Sequence, residues 1–425
     1  MAEIRPFTAL RYDEAVAGPL ERLVAPPYDV VDEPMRARLQ ARSPCNVVAI
    51  DLPQPTAAQP DRYAAAAETL ARWRAEGVVV ADRAPALWAL TQDYVGPDGA
   101  ARTRRAVLAA VRVEPYGAGR IRPHERTHPG PKQDRLALTR ATRANLSPIF
   151  SLCSDPQQRA WRALEPHVAA QPPVGRAVDA DGTVARLWRV ADPVAIAAVQ
   201  AATRDAELLI ADGHHRYETA RAYADEVGGE GPHRFVLVAL VALEDPGLTV
   251  FPTHRLVSGV ARDPRRRQAL DDAIARWFAV EEVPDPRALV PDPADGPVRI
   301  GYLDGRTRRP LRLTLADPAR VDALLAGRAA PYRRLDTAVL EALILEDALG
   351  MTAAQIDRRD GLAYARDLDH ALDAVASGAA DAAFLMGPTP VARIRAVAAA
   401  GEAMPPKSTY FFPKIPTGLV FLPLA

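Results

Sequence analysis

The chain reads as an α+β protein of two domains, and three observations carry that reading. Its 425 residues are more than one core of ordinary size takes, so two cores are expected. Short apolar runs of strand length, such as 235–243, are mixed with stretches whose apolar residues recur at helical spacing. A polar, proline-bearing break at Ala261-Arg262-Asp263-Pro264 separates the two parts. The expected domains are therefore 1–260 and 261–425, the second an α/β unit of its own.

Taken in order, residues 3–52 mix short strands and turns. Pro26-Pro27-Tyr28-Asp29-Val30 is too proline-rich for a helix, and Tyr28 and Asp29 either line a pocket or pin a turn. Pro34 opens a helix over 35–42, at a first-turn position where no N–H is needed. Tyr63, Ala66, Ala67, Leu70 and Trp73 predict a helix over 61–76, closed by Gly77. Strands follow at 78–80, 86–94 and 104–113, the last two joined across Gly96-Pro97-Asp98-Gly99 as a hairpin. Residues 123–131 read as a loop because of their Pro and Gly, and 134–144 as a helix. Helices are expected at 157–168, 193–203 and 217–226, and strands at 187–190 and 235–243, with 249–256 as a neighbour of the latter. In the second part, helices are expected at 265–278, 337–349, 368–376 and 390–400. Strands are expected at 299–302 and 311–315 around Asp304-Gly305, and at 383–386. The tail, 404–421, reads as loop followed by strand.

Composition excludes several classes. Hydrophobic residues make up 48% and charged residues 25%, as in an ordinary globular protein. Formal net charge is zero, which argues against a nucleic-acid partner held by phosphate neutralisation. No apolar run approaches the roughly 18–20 residues that span a bilayer, so no membrane partner is expected. The start, Met1-Ala2-Glu3-Ile4-Arg5-Pro6, lacks the basic-then-apolar layout of a signal peptide, and a cytoplasmic location is the expectation. Two cysteines are too few for a disulfide framework.

The most informative stretch is Leu208-Leu209-Ile210-Ala211-Asp212-Gly213-His214-His215-Arg216-Tyr217-Glu218. An apolar strand runs into Asp-Gly and then into a helix, an order that builds an anion site from the first-turn N–H groups and the helix dipole. Gly213 suits a positive φ there. Arg216 suits bidentate contact with a phosphate. The plainer alternative is a strand-to-helix turn with a charged rim.

A second stretch, His124-Glu125-Arg126-Thr127-His128, matches the H-E-x-x-H pattern of zinc proteases. That pattern needs a helix, and Pro123 before it with Pro129-Gly130-Pro131 after it argues for a loop. Glu125 is the alternative general base. The lysines form a third signal. Of 53 basic residues, three are Lys: Lys132, Lys407 and Lys414. Arg does not reproduce a compact, rotatable ammonium, so each surviving Lys is a candidate for a task that needs one. Lys407 and Lys414 flank Ser408-Thr409-Tyr410, and the C-terminal segment is expected to fold back toward the pocket of Lys132.

Asp212-Gly213-His214-His215-Arg216-Tyr217-Glu218 resembles the phosphate-binding motif of the ParB/sulfiredoxin superfamily, in the form seen in its free-serine kinases. Pro123-His124-Glu125 upstream resembles a segment of those kinases. The wider chain, from Pro26-Pro27-Tyr28-Asp29-Val30 to Lys407-Ser408-Thr409-Tyr410, resembles the DUF1015 family. The resemblance implies a ParB/sulfiredoxin-like nucleotide-binding core in the N-terminal part. It implies an ATP- or ADP-dependent kinase of a small hydroxyl substrate, with free L-serine as first candidate. Asp212, Gly213, His214, His215 and Arg216 would then hold phosphates. Glu125, His124 and Lys132 would be catalytic. Asp134, Arg135, Lys407, Ser408, Thr409 and Lys414 would meet substrate or phosphate, and Asp212 or Asp134 would help hold Mg²⁺. Two other classes stay open: a ParB-like nucleotide-binding regulator or scaffold, and a metal-dependent hydrolase using the His cluster. Oligomeric state is not legible in the sequence.

Overall fold

The computed structural model describes residues 2–117, 119–125, 129–292 and 296–425. It is a mixed α+β structure in which the chain divides into two compact units. The first comprises Met1–Pro123, Thr127–Thr249 and Pro413–Ala425; the second comprises His124–Arg126 and Val250–Phe412. Among the described residues no helix is long and apolar enough to cross a membrane.

The first unit is built on a nine-stranded sheet. Its strands run in the order Ile121–Arg122, Leu208–Asp212, Ile149–Cys153, Phe235–Ala242, Ala101–Arg112, Leu87–Val95, Val184–Val190 and Gly175–Val178, with Ile4–Arg5 beside Ala101–Arg112. The central hairpin closes over the expected Gly-Pro-Asp-Gly turn. There Asp98 takes both Nη groups of Arg102 at 2.7 Å. Side chains alternate between the faces of a strand. Ala89, Val107, Ala109 and Val111 thus share one core with Trp161, Leu164, Val199, Tyr217 and Ala220 of the covering helices. On the opposite face the register sets Trp88 against Leu108, Leu90 against Ala106 and Gln92 against Arg104. All six are buried. Two polar residues in an apolar layer is the feature of this sheet that burial alone does not account for.

Local chemistry sets most helix ends. Asp61 caps Arg62–Ala75 and Asp192 caps Pro193–Thr203, each by accepting an N–H of the first turn. Three expectations need correction. Residues 129–131, read as loop, begin the helix Pro129–Thr142; both prolines sit in a first turn, where the missing N–H has no partner to lose. The helix after Gly213 begins at His214, three residues before the expected 217. The stretch 249–256 does not extend beside Phe235–Ala242. It splits into Thr249–Phe251, which pairs with Tyr410–Phe412, and His254–Val257, which pairs with Leu362–Ala365 and Ala382–Leu385. Pro252 divides the two strands, since it has no N–H to offer a ladder.

The second unit carries a six-stranded sheet in the order Phe278–Glu282, Pro310–Leu315, Arg299–Asp304, Ala382–Leu385, His254–Val257 and Leu362–Ala365. The expected hairpin around Asp304-Gly305 is present. Asp263 caps the helix Pro264–Trp277, whose Leu270, Ile274 and Trp277 enter the core with Ile300, Leu313 and Phe384. The helix expected over 337–349 starts as Asp336–Leu340 and continues with π-helical bonding over Glu341–Ala348.

The last residues return to the first unit. Leu422–Pro423 pairs with Ala144–Asn145. Phe421 exchanges backbone bonds of 2.8 and 3.0 Å with Leu10, and its ring meets Tyr12 edge-on at 5.7 Å. Phe421 is fully buried although its partners lie some 400 residues upstream in the 425-residue chain. Phe421→Ala should therefore cost about 3–5 kcal/mol of unfolding free energy. Denaturant unfolding followed by tryptophan fluorescence measures this, and a loss below about 1 kcal/mol would show the tail to be peripheral to the core.

Candidate functional site

The strand Leu208–Asp212 ends at Gly213, whose φ of 98° and ψ of 29° turn the chain into the helix His214–Val227. No side chain caps that helix at Gly213. A Cβ on Gly213 would come within 2.9 Å of the Arg216 guanidinium, so the residue is glycine for space as well as for φ. Arg216 thus folds back over its own turn.

Asp212 is the electrostatic centre. One carboxylate oxygen accepts Lys414 Nζ, and the other accepts Arg216 Nη2 at 2.6 Å. The Asp212, Arg216 and Lys414 side chains are 12, 10 and 15% exposed. Burial by itself would raise the Asp212 pKa, but Lys414 and then Arg216 override it and hold the carboxyl well below its usual range. Arg216 Nη1 donates to Ser147 Oγ at 2.7 Å and to the Pro148 carbonyl. Its Nε is buried with no partner. Thr417 donates to the same Ser147 Oγ at 2.9 Å and forms backbone bonds with Ala25 at 2.8 and 3.2 Å. Ala25, Ser147, Pro148, Asp212, Arg216, Lys414 and Thr417 are thereby joined in one network within the first unit.

A second cation lies beside it. Arg135 is buried and donates from Nη1 to the Asp51 carbonyl at 2.8 Å and to the Asp51 carboxylate at 3.1 Å. Its guanidinium stacks on the Tyr28 ring at 4.4 Å. Burial pushes the Asp51 pKa up, against the pull of Arg135 and Arg216. Burial likewise pushes Tyr28 up to about 12. Asp134 faces Arg62 at 2.7 Å and the Tyr63 hydroxyl at 2.9 Å. Lys132 reaches Glu218, on the helix that follows the turn, at 2.8 Å.

The remaining expected site residues belong to the second unit. His124 Nε2 lies 2.9 Å from Thr409 Oγ1, and its ring meets Phe411 edge-on. Glu125 is half-buried. Ser408 is buried, donating to the Pro405 carbonyl at 2.7 Å and bonding Thr337 Oγ1 at 3.1 Å, as a residue holding a turn does. Lys407 is exposed with a φ of 54°. His128, the last residue of the H-E-x-x-H pattern, lies outside the described residues. Among the described residues no cluster of three or more His, Cys, Asp or Glu is arranged to hold a metal. Asp212 was the expected Mg²⁺ ligand, yet its two oxygens already face cations. The residues present do not fit a protein-held Mg²⁺ at this turn, and no step is assigned to one.

Sequence reasoning missed Asp51, Gln92, Arg104, Ser147 and Thr417. Each is a common residue type in an unremarkable context, so no local signal marks it. Tyr28 carried a signal in Pro26-Pro27-Tyr28-Asp29-Val30.

The turn is a strand-to-helix junction on the sheet of an α+β protein. A family model described as "Protein of unknown function (DUF1015)" matches residues 4–338, and the chain belongs to that family. No curated protein matches it. Solved structures with a similar chain course include a conserved hypothetical protein from Pyrococcus furiosus, 14% identical over 73% of this chain and 93% of the other, with a TM-score of 0.36. A mutant free serine kinase in complex with ADP is 11% identical over 75% of this chain and 91% of the other, with a TM-score of 0.39. SbnI with a C-terminal truncation, from Staphylococcus aureus, is 14% identical over 72% and 82%, with a TM-score of 0.36. At these scores no residue role passes from them to this chain.

The Asp212 geometry makes a stability prediction. The Asp212 pKa is depressed in the folded state, so its contribution is complete above the unfolded value of about 3.9 and fades as pH falls through and below it. Asp212→Asn should cost about 3–5 kcal/mol near neutral pH, because Lys414 and Arg216 lose their counter-charge. The gap between the two proteins should narrow as pH drops below about 4. Melting curves across pH check this; a gap that stays constant in acid would mean the carboxylate charge is not what holds the pair.

Proposed function

We propose that this chain is a nucleotide-dependent phosphotransferase with a ParB/sulfiredoxin-like core in its N-terminal part, acting on a small hydroxyl substrate. Free L-serine is the first candidate, on the sequence resemblance of the Asp212–Glu218 motif. One observation carries the reading. At the N-terminus of the helix His214–Val227 two cations, Arg216 and Lys414, meet at the Asp212 carboxylate, and Arg216 Nε is buried without a hydrogen-bond partner among the described residues. That Nε is a guanidinium donor with nothing to donate to, beside a helix N-terminus, and a phosphate oxygen would supply the acceptor.

ATP or ADP would sit with its terminal phosphates at Gly213, His214, His215 and Arg216. Bound there, the nucleotide supplies the phosphoryl group. The chain's own part is to position it and to offset its charge, with Lys414 as the movable cation: an ammonium exchanges one oxygen for another without the planar demands of a guanidinium. The role of Lys132 is to steady the helix through Glu218. The proton acceptor is assigned to Glu125 on the sequence alone.

A second reading has an observation of its own. Both Arg216 Nη groups are engaged by Ser147, Pro148 and Asp212, so the turn is largely self-satisfied. A nucleotide-binding regulator, binding without transfer, needs no more than that.

Arg216→Ala should weaken ADP binding by about 2–3 kcal/mol in calorimetry, with circular dichroism confirming the fold. Equal affinity in both proteins, or none in the wild type, would remove the nucleotide site. Glu125→Gln should lower phosphorylation of the hydroxyl acceptor roughly 10²–10⁴-fold with ADP affinity unchanged. Full turnover in that variant would exclude Glu125 as the base, and ADP binding without turnover of any hydroxy amino acid by the wild type would favour the regulator.

A further inference from the structure

Arg104 is a buried cation that the fold does not explain. It lies on the strand Ala101–Arg112, in the layer otherwise filled by Trp88, Leu90, Ala106 and Leu108, and it is 1% exposed. Nη2 donates to Gln92 Oε1, and the guanidinium lies over the Phe150 ring at 4.4 Å. Nε and Nη1 are buried and have no hydrogen-bond partner among the described residues. Among the described residues no carboxylate hydrogen-bonds it. Burial pulls its pKa down to about 9, with Tyr94, Asp245 and Asp212 giving weaker opposing support, so it stays charged at neutral pH.

Its position ties it to the turn. Phe150, on which it stacks, is the register partner of Asp212. Gln92, which holds its Nη2, also donates to the Lys414 carbonyl at 2.9 Å. Arg104 therefore sits beside the strand end that carries Asp212, with its plane fixed by an amide and an aromatic face. Of the two carboxylates that act on it, Asp212 is already matched by Lys414 and Arg216, and Asp245 faces Arg105 at 3.8 Å, so neither hydrogen-bonds it. A buried monocation with vacant donors is stable only at a cost, and the partner that removes the cost is an oxyanion.

We propose that Arg104 anchors the carboxylate of the hydroxyl substrate, which makes the substrate class hydroxy acids and hydroxy amino acids rather than simple alcohols. The proposal rests on the phosphotransferase reading for the word substrate, but not for the binding. A carboxylate is favoured over phosphate on charge and shape. One buried positive charge is balanced by one negative charge, and a planar carboxylate suits a planar, fixed guanidinium. The doubly charged phosphate end has Arg216, Lys414 and the helix N-terminus.

The test is calorimetry and thermal shift of the full chain with L-serine, D-glycerate, serinol and ADP, on wild type, Arg104→Met and Arg104→Lys. Wild type should bind L-serine or D-glycerate and not serinol, which lacks the carboxylate. Arg104→Met should lose that binding by roughly 100-fold or more and keep ADP affinity. It should melt no lower than wild type, because an apolar side chain suits that layer better than an unmatched charge. A residue that merely braces the sheet would instead lower the melting point and leave ligand selectivity intact, which would overturn the proposal. Should Arg104→Met fail to fold, Arg104→Lys decides: weaker L-serine binding with unchanged ADP binding supports the assignment, and unchanged L-serine binding overturns it. Loss of ADP rather than L-serine binding would make the oxyanion a phosphate and overturn it too. ADP binding without carboxylate binding in the wild type defeats this proposal and leaves the nucleotide reading standing. Carboxylate binding that depends on Arg104, with no ADP binding in any protein, does the reverse.

Discussion

The rest of the first unit depends on the buried ion triad of Asp212, Arg216 and Lys414. Three charged side chains, none more than 15% exposed, are tolerable there only because each meets another. The triad fixes what the backbone does around it. Arg216 folds over Gly213 and leaves no room for a Cβ, while Lys414 ties the C-terminal segment to the strand end. The same carboxylate therefore holds both the turn and the tail.

The buried cations around this strand end are held in two ways. At the helix N-terminus Arg216 and Lys414 share the Asp212 carboxylate. Arg104 is locked between an amide and a phenyl ring. A protein built only to fold would have little reason to keep them, because apolar replacements of buried charges are commonly neutral or stabilising. Stability given up at particular positions is the usual mark of a site that works on a ligand.

Legibility in the sequence followed the range of the interaction. The helix Pro193–Thr203, the hairpin across Gly96-Pro97-Asp98-Gly99 and the strand-Gly-helix order at Gly213 are all specified by residues within a few positions of one another. So is the helix Leu368–Ala376, with Asp367 as its cap. Errors fell where local rules compete. Pro129-Gly130-Pro131 looks like a helix breaker and is a helix start, because proline is unfavourable only where an N–H is needed. Residues 249–256 read as one strand by their apolar content, yet Pro252 splits them between two ladders.

What the sequence determined by itself is the α+β class, most of the elements, and a strand-to-helix turn at Gly213 with Arg216 beside it. The scarcity of lysine also singled out Lys414, although composition carries no information about which group it meets. Only the tertiary structure decided that partner, and it did so by bringing residue 414 to residue 212, a pairing no local pattern encodes. It likewise decided that Ser147, Thr417 and Gln92 belong to the network, and that Arg104, one of 50 arginines, is buried with two vacant donors. The physical reason is that periodicity and turn chemistry act over a few residues. Burial and charge pairing depend on which distant segments share a layer, and that is settled when the sheet and its covering segments close.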